Sequence, residues 1–472
     1  MKVEQIYTGC LAQGAYYITS NGEAAIIDPL REVQPYIDRA NKDGVKIKYV
    51  FETHFHADFV SGHLDLSKKT GASIVYGPNA KAEFDFISAK DGEEFKIGNV
   101  TIKVLHTPGH TMESACFLLK DESGKDYALF SGDTLFLGDV GRPDLAQKAA
   151  SMTQDQLAGL LYDSLNNKII PLADDVIVYP AHGAGSACGK NMMKETVDTL
   201  GNQKKMNYAL NQPNKEAFVK AVTEGLMPPP GYFGMNVAMN KKGIESFDTV
   251  LKKGLIALSP DKIEELMAIT SDAIILDVRD AADFQKGFIP RSINIGLHGD
   301  FAPWVGALLV DVKQPIILVT TSGEQEEAVT RLARVGFDNV IGYLEGGLDA
   351  WIKAGKEIDT VKRITAAQFK NELTIGESVV LDVRKDSEYA AEHVEESFSR
   401  PLAEINNWFK IIDDTKPFYI HCAGGYRSMI VASILKSRGI HNFKEIEGGF
   451  KAIAETSIPK TNFVCQSKLV KA

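Results

Sequence analysis

The chain has 472 residues, of which 44% are hydrophobic, 9% aromatic and 24% charged, a composition that excludes a disordered or fibrous protein. At roughly 100–200 residues per domain, the length predicts two to four domains. Lys and Arg total 52 against 62 Asp and Glu, a net charge of −10, so the long-range field repels nucleic-acid phosphates and anionic membranes, and neither is an expected partner.

The first 240 residues read as short strands set between loops rich in Gly, His and Asp. The N-terminus lacks a basic segment followed by an unbroken apolar run, and no stretch reaches the ~20 apolar residues of a membrane span. Candidate strands are AYYIT, EAAIID, KYVFET, SIVYG, VTIKVLH, SACFLLK, YALFSG and DVIVYP, with a helix near Gln154 to Asn166. So many strands interspersed with helices predict two sheets covered by helices. Four of the strands run directly into metal-ligating residue types: His54, His56 and Asp58 after KYVFET, His110 in TPGHT, Asp133 after YALFSG, and His182 after DVIVYP. Imidazole and carboxylate are ligands of first-row metals. One such histidine means little, but four strand ends delivering them together predict a metal on one rim of the sandwich.

A Pro- and Gly-rich stretch from Met227 to Ser246 marks the join to the second half. There the sequence repeats itself. AIILDVRDAADF, from Ala273, is matched by SVVLDVRKDSEY, from Ser378; PIILVTTSGEQEEA, from Pro315, by PFYIHCAGGYRSMI, from Pro417; and LEGGLDAW, from Leu344, by IEGGFKAI, from Ile446. Each copy alternates short β-branched strands with helices, which predicts an open parallel α/β domain. The domains expected are 1–240, a linker at 241–257, 258–358 and 359–472. In the last copy Cys422 follows an apolar strand and precedes a helix. Gly424 and Gly425 let backbone N–H groups turn toward its sulfur, where the helix start favours an anion and lowers the thiol pKa. Arg427 closes this loop. In the middle copy Thr320 takes the place of Cys422, and acids replace the Gly-Tyr-Arg part. That copy is expected to be a structural, docking or regulatory module. The LDVR pairs, Asp382 with Arg384 and Asp277 with Arg279, are expected ion pairs. Five cysteines are too scattered for a disulfide framework, so reduced thiols and a cytoplasmic location are expected; Cys10, Cys116 and Cys465 read as structural.

These residues carry two resemblances. THFHAD, TPGHT, SGDTLF and YPAHG resemble the metallo-β-lactamase superfamily, which implies an αββα sandwich with its metal on the rim. Dinuclear hydrolases of the glyoxalase II type carry His directly after the motif Asp, whereas this chain has Phe59, which weakens a second metal site. The persulfide dioxygenase branch is the more similar, also in GDVGRPDLAQ. That resemblance implies one Fe(II) per chain on His54, His110 and Asp133, with His56, Asp58 and His182 as surrounding groups or extra ligands. It also implies Arg142 as the residue gripping a substrate carboxylate, and Cys188, in the small-residue loop AHGAGSACG, as a thiol able to accept or relay sulfane sulfur. The second resemblance is of Cys422, Ala423, Gly424, Gly425, Tyr426, Arg427 and Ser428 to the active loop of rhodanese sulfurtransferases, whose ring is one residue shorter than that of Cys-dependent phosphatases. The fused order resembles bacterial sulfide-detoxifying proteins. It implies oxidation of a low-molecular-weight thiol persulfide with O2 to sulfite or thiosulfate, coupled to sulfur transfer, in a homodimer or tetramer. The competing readings are a zinc thioester hydrolase carrying a sulfurtransferase, a metal-free sulfur carrier or redox sensor, and a phosphatase.

Overall fold

A computed structural model describes residues 1–226, 228–309 and 311–464; Cys465 lies outside them. The chain forms two units: Met1–Thr249 with Ala333–Gly336, and Val250–Leu332 with the described residues from Phe337 on.

In the first unit, one mixed sheet is built in chain order from β1 (Lys2–Thr8), β2 (Gln13–Ser20), β3 (Glu23–Ile27), β4 (Lys46–Glu52), β5 (Ser73–Tyr76) and β6 (Ile87–Ser88). The other contains β7 (Glu94–Ile97), β8 (Val100–His106), β9 (Ala115–Lys120), β10 (Asp126–Gly132), β11 (Ile177–Pro180) and β12 (Asp198–Thr199), also neighbouring in chain order. The inner strands are apolar on both sides, and their period of two divides those side chains between layers. Tyr16, Ile18, Ala25, Ile27 and Phe51 pack against Ile102, Val104, Phe117 and Phe130 between the sheets. Their neighbours Tyr17, Ala24, Ile26 and Val50 face Tyr36 and Ala40 of the helix Gln34–Asp43. On the far side Leu118, Leu129 and Val178 meet Ala158 and Leu161 of the helix Gln154–Ser164. This is an αββα sandwich. The Gln154 helix starts in a capping box between Thr153 and Gln156 and runs on into a wide turn at Leu165–Ile169. Strands β1, β6, β7 and β12 were not among the sequence candidates: β6 and β12 have two residues each, β7 alternates polar with apolar side chains, and β1 is mostly polar with no fully buried residue.

The second unit contains two five-stranded parallel sheets with one topology. The middle copy is ordered β13 (Ala257–Leu258), β17 (Val340–Leu344), β16 (Ile316–Val319), β14 (Ile274–Asp277), β15 (Ile293–Asn294). The last copy is ordered β18 (Arg363–Ile364), β22 (Phe443–Ile446), β21 (Phe418–His421), β19 (Val379–Asp382), β20 (Phe398–Ser399). The duplication read from the sequence is thus a duplication of fold. Among the described residues no helix is long and apolar enough to cross a membrane.

Candidate metal centre and thiol loop

The strand ends do converge. His54 follows β4, His110 follows β8, and Asp133 directly follows β10; their ligand atoms lie within 4.8 Å of one another and all three side chains are buried. Asp133 Oδ2 is 3.8 Å from His54 Nε2 and 3.5 Å from His110 Nε2, and has no hydrogen-bond partner. A buried carboxylate oxygen without a donor is costly unless a cation fills the gap.

The ring nitrogens are set for that cation. His110 Nδ1 lies 2.9 Å from the Arg142 carbonyl, so it donates there and leaves Nε2 as a lone pair. Thr53 Oγ1 donates to Asp28 Oδ2 at 2.9 Å and accepts from His54 Nδ1 at 3.0 Å, which fixes the same tautomer on His54. Outer partners of this kind orient metal-binding imidazoles. Burial first, and then the neighbouring His56, push His54 well down, which keeps its ring neutral. For Asp133, burial alone would raise the carboxyl, but His182, His54 and His110 hold it well below the usual carboxylate range. A Cβ on Gly141 would lie 1.9 Å from the Asp133 carbonyl and 2.9 Å from His110 Nδ1, so only glycine lets the GDVGR loop pass this close. Two imidazoles and one carboxylate, with their ligand atoms within 4.8 Å of one another, fit a first-row divalent ion.

The remaining sequence candidates fall around this group in three ways. His56 turns away: its Nε2 sits 3.1 Å from Asp28 Oδ1 and 3.4 Å from Glu52 Oε2, and its ring stacks on Phe59. Burial alone would lower His56, but Asp28 and Glu52 outweigh it and raise the imidazole to about 10. His182 bridges Asp133 Oδ1 at 2.7 Å and Asp58 Oδ2 at 2.8 Å; those two carboxylates outweigh its burial and raise it well above the ordinary range. Cys188 is buried in a second group with Asp58 and His182, where burial and then Asp58 and Asp133 push its thiol well up. Arg142, expected to present its guanidinium to a substrate, is engaged otherwise. Its Nε and Nη2 bind Asp144 at 2.7 and 2.8 Å, and Nη1 donates to the Ala187 carbonyl. Here Arg142 braces the Cys188 loop, and its carbonyl orients His110. A cavity of about 560 Å³ is walled by Ala57, between His56 and Asp58, by Asp144, the partner of Arg142, and by Pro229, Pro230, Phe233 and Val237.

Asp28, Glu52 and Thr53 were missed as site residues although EAAIID and KYVFET end on them. Their signal was a carboxylate closing an apolar strand, which looks ordinary until the fold brings it to its partner.

In the second unit, Cys422 is 1% exposed at the end of β21, and the Gly425 N–H donates to its Sγ at 3.1 Å. Gly425 has φ 109°, and a Cβ there would come 2.9 Å from Arg363 Nη2. Arg427 closes the loop while bound to Glu388 at 2.6 and 2.9 Å. A cavity of about 580 Å³ opens over the thiol, lined by Lys385, Glu388, Arg427 and, from the middle copy, Asp300 and Trp304. Tyr426 donates to the Gly296 carbonyl of that copy at 2.8 Å. Both LDVR pairs form: Arg384 grips Asp382 and Arg279 grips Asp277, each closing at 2.6 Å. Cys116 lies in β9 as a buried thiol pushed up to about 11, chiefly by burial, and Cys10 is partly exposed.

Residues 8–182 match the metallo-beta-lactamase superfamily, and 259–354 and 365–456 each match the rhodanese-like domain. The human mitochondrial persulfide dioxygenase ETHE1 is 30% identical over 222 residues, 47% of this chain and 79% of that protein. The chain belongs to the metallo-β-lactamase superfamily and carries two rhodanese-like domains. Within that superfamily, hydroxyacylglutathione hydrolase GloC of Haemophilus influenzae is also 30% identical, over 40% of this chain and 87% of its own length. A probable hydroxyacylglutathione hydrolase of Schizosaccharomyces pombe is 32% identical over 34% of this chain, which spans 59% of that relative. A crystal structure of a metallo-beta-lactamase from Staphylococcus aureus is 31% identical, with a TM-score of 0.63, and covers 73% of this chain and 98% of its own. That overlap is longer than the sandwich of this superfamily member, so it extends into the rhodanese-like half.

Proposed function

We propose that the first unit is a persulfide dioxygenase holding one Fe(II) on His54, His110 and Asp133, and that the last domain is a rhodanese sulfurtransferase working through Cys422. The observation that carries this reading is the division of labour among the strand-end residues. His54, His110 and Asp133 offer free ligand atoms to one point, while His56 is bound to Asp28 and Glu52 and Phe59 offers no ligand. A two-histidine, one-carboxylate set with open positions suits iron(II) and supplies oxygen activation. Thr53 and the Arg142 carbonyl hold the imidazoles in place, and His182 holds a proton between Asp133 and Asp58. The cavity at Ala57 and Phe233 takes the carrier thiol. The overall reaction balances as RSSH + O2 + H2O → RSH + SO3²⁻ + 2H⁺. Cys422 then carries sulfane sulfur to sulfite, giving thiosulfate, or from a donor to a thiol. Free thiols at Cys10, Cys116, Cys188 and Cys422 suit work in a reducing cytoplasm.

A second reading, a zinc-dependent thioester hydrolase fused to the sulfurtransferase, draws on the hydrolase relatives and on the Asp58, His182 and Cys188 group, which offers three further ligand types. Metal analysis of anaerobically purified protein, with O2 uptake on addition of glutathione persulfide, separates the two. About one iron per chain with persulfide-dependent uptake is the expected result. Two zinc ions, thioester hydrolysis and no uptake would overturn it.

A further inference from the structure

Behind the thiol loop runs a buried chain of side chains that ordinary sulfur transfer does not require. Ser428 Oγ lies 3.4 Å from Cys422 Sγ and 2.6 Å from Glu445 Oε1, and Glu445 Oε2 accepts from Arg363 Nε at 2.6 Å. Ser428 and Glu445 are both fully buried. Glu445 sits in β22, a central strand of a parallel sheet, where an apolar side chain is the norm. Burial pushes its carboxyl up to about 7, against the opposing pull of Arg363 and Ser428.

The duplicated copy shows that the fold has no need of this chain. Arg363 pairs with Glu445 across β18 and β22, and the same register positions in β13 and β17 are Ala257 and Tyr343. With the helices aligned through Gly336 and Gly439, Ser428 falls on Gln325; with the preceding strands aligned through Pro315 and Pro417, Cys422 falls on Thr320. Cys422, Ser428, Glu445 and Arg363 thus stand together in one copy, and none of the four residue types is kept at its position in the other. The Asp–Arg pair of LDVR is kept in both. What disappears with the thiol belongs to the thiol.

We propose that Glu445 is a positioning residue that holds the proton of Cys422, exchanging it through Ser428 as the sulfur gains and loses negative charge. While the sulfur is a thiol, its S–H donates to Ser428 Oγ, whose O–H donates to the Glu445 carboxylate. When the sulfur becomes an anion, the S–H proton has passed to Ser428 and the Ser428 proton to Glu445. Ser428 then donates to the sulfur, and Glu445 donates to Ser428. Attack on a sulfane-sulfur donor such as thiosulfate makes the Cys422 S–S bond and breaks the donor's S–S bond, whose electron pair leaves with sulfite. No proton need enter or leave the closed loop. The charged groups facing Glu445 are Arg363 from β18 and Glu447, one residue past the end of its own strand.

This inference rests on Cys422 being the working thiol of the sulfurtransferase reading, but its test does not require turnover. The pH dependence of Cys422 alkylation by iodoacetamide reads the anion directly in the full-length protein. Two groups sharing one proton titrate in two steps, so the wild type is expected to show a biphasic profile, and E445Q and S428A to lose the first step. A carboxylic-acid C=O stretch, shifting in D2O, is expected in infrared difference spectra when Cys422 is loaded from thiosulfate. It should be missing in E445Q and C422S. A single-step alkylation profile shared by wild type and E445Q would overturn the proposal. So would a loaded wild type without the acid band, which keeps the test decisive even where E445Q fails to fold. Normal proton coupling in a protein that transfers no sulfur would instead count against the sulfurtransferase reading alone.

Discussion

Thr53→Val tests whether the site depends on its outer partners. Valine keeps the shape of threonine and the backbone N–H that Thr53 donates to Asp28 Oδ1 at 2.8 Å, so the strand end stays in place. It removes the hydroxyl that accepts from His54 Nδ1 and donates to Asp28 Oδ2. His54 is then free to change tautomer and to swing about its χ2 torsion. Loss of such a partner lowers metal affinity by about 10–100-fold, which is about 1.4–2.7 kcal/mol. Asp28, 1% exposed, also loses a donor, and an unmet buried acceptor costs about 1–3 kcal/mol of folding stability. Competition with a chelator of known affinity, using Fe(II) or Zn(II) as probe, measures the first effect; thermal unfolding measures the second. A folded Thr53→Val protein that holds its metal as tightly as the wild type would refute the argument that the Asp28–Thr53–His54 chain sets the ligand.

Cys422→Ser is expected to lower thiosulfate-dependent sulfur transfer by at least about 10³-fold, as loss of a nucleophile does, while persulfide-dependent O2 uptake is unchanged; an equal loss of uptake would show the two chemistries to be one. Trp304→Ala removes the middle copy's wall from the Cys422 cavity and should raise KM for the acceptor thiol several-fold with little change in kcat, read from steady-state sulfur transfer with acceptors of different size. His56 is raised to about 10 by Asp28 and Glu52. Its folded value lies above its unfolded one, so its contribution to stability is complete below the ordinary histidine range and is lost as pH rises through about 10. His56→Gln should flatten the alkaline fall of Tm seen in the wild type; an unchanged slope would place that fall elsewhere.

The sequence showed most clearly what depends on one segment at a time. Strands buried on both faces, such as AYYIT and YALFSG, gave themselves away by apolar runs, and the ligand types gave themselves away by ending such runs. Edge strands did not, because β7 exposes every second side chain and β1 has no fully buried one, so both resemble loops. Roles set by a distant partner were hidden as well. Nothing in THFHAD says that His54 points to the metal group and His56 away from it; that depends on Asp28, at the end of the preceding strand and 25 or more residues back in the chain. Arg142 shows the opposite case: its partner Asp144 stood two residues along, so the local ion pair that forms was within reach of the sequence.

Where two copies of one fold lie in one chain, the comparison that a single domain denies its reader becomes available. Residues kept in both, Asp277 with Arg279 and Asp382 with Arg384, bind their own loops in the same way and follow the fold. Residues kept in one follow the chemistry, and they extend deeper than the active loop. The Cys422 motif ends at Ser428, yet the substitutions that accompany its loss reach β17 and β13, where Tyr343 and Ala257 replace a buried carboxylate and its guanidinium. A buried ion pair is weak evidence for stability, since apolar residues of similar volume serve as well or better. The middle copy does without the pair, with an exposed Ala257 and a half-buried Tyr343 at those positions. Retention of Arg363 and Glu445 beside the thiol is therefore accounted for by the charge that the sulfur acquires, and the middle copy, relieved of that charge, instead contributes Asp300 and Trp304 to the wall of its neighbour's cavity.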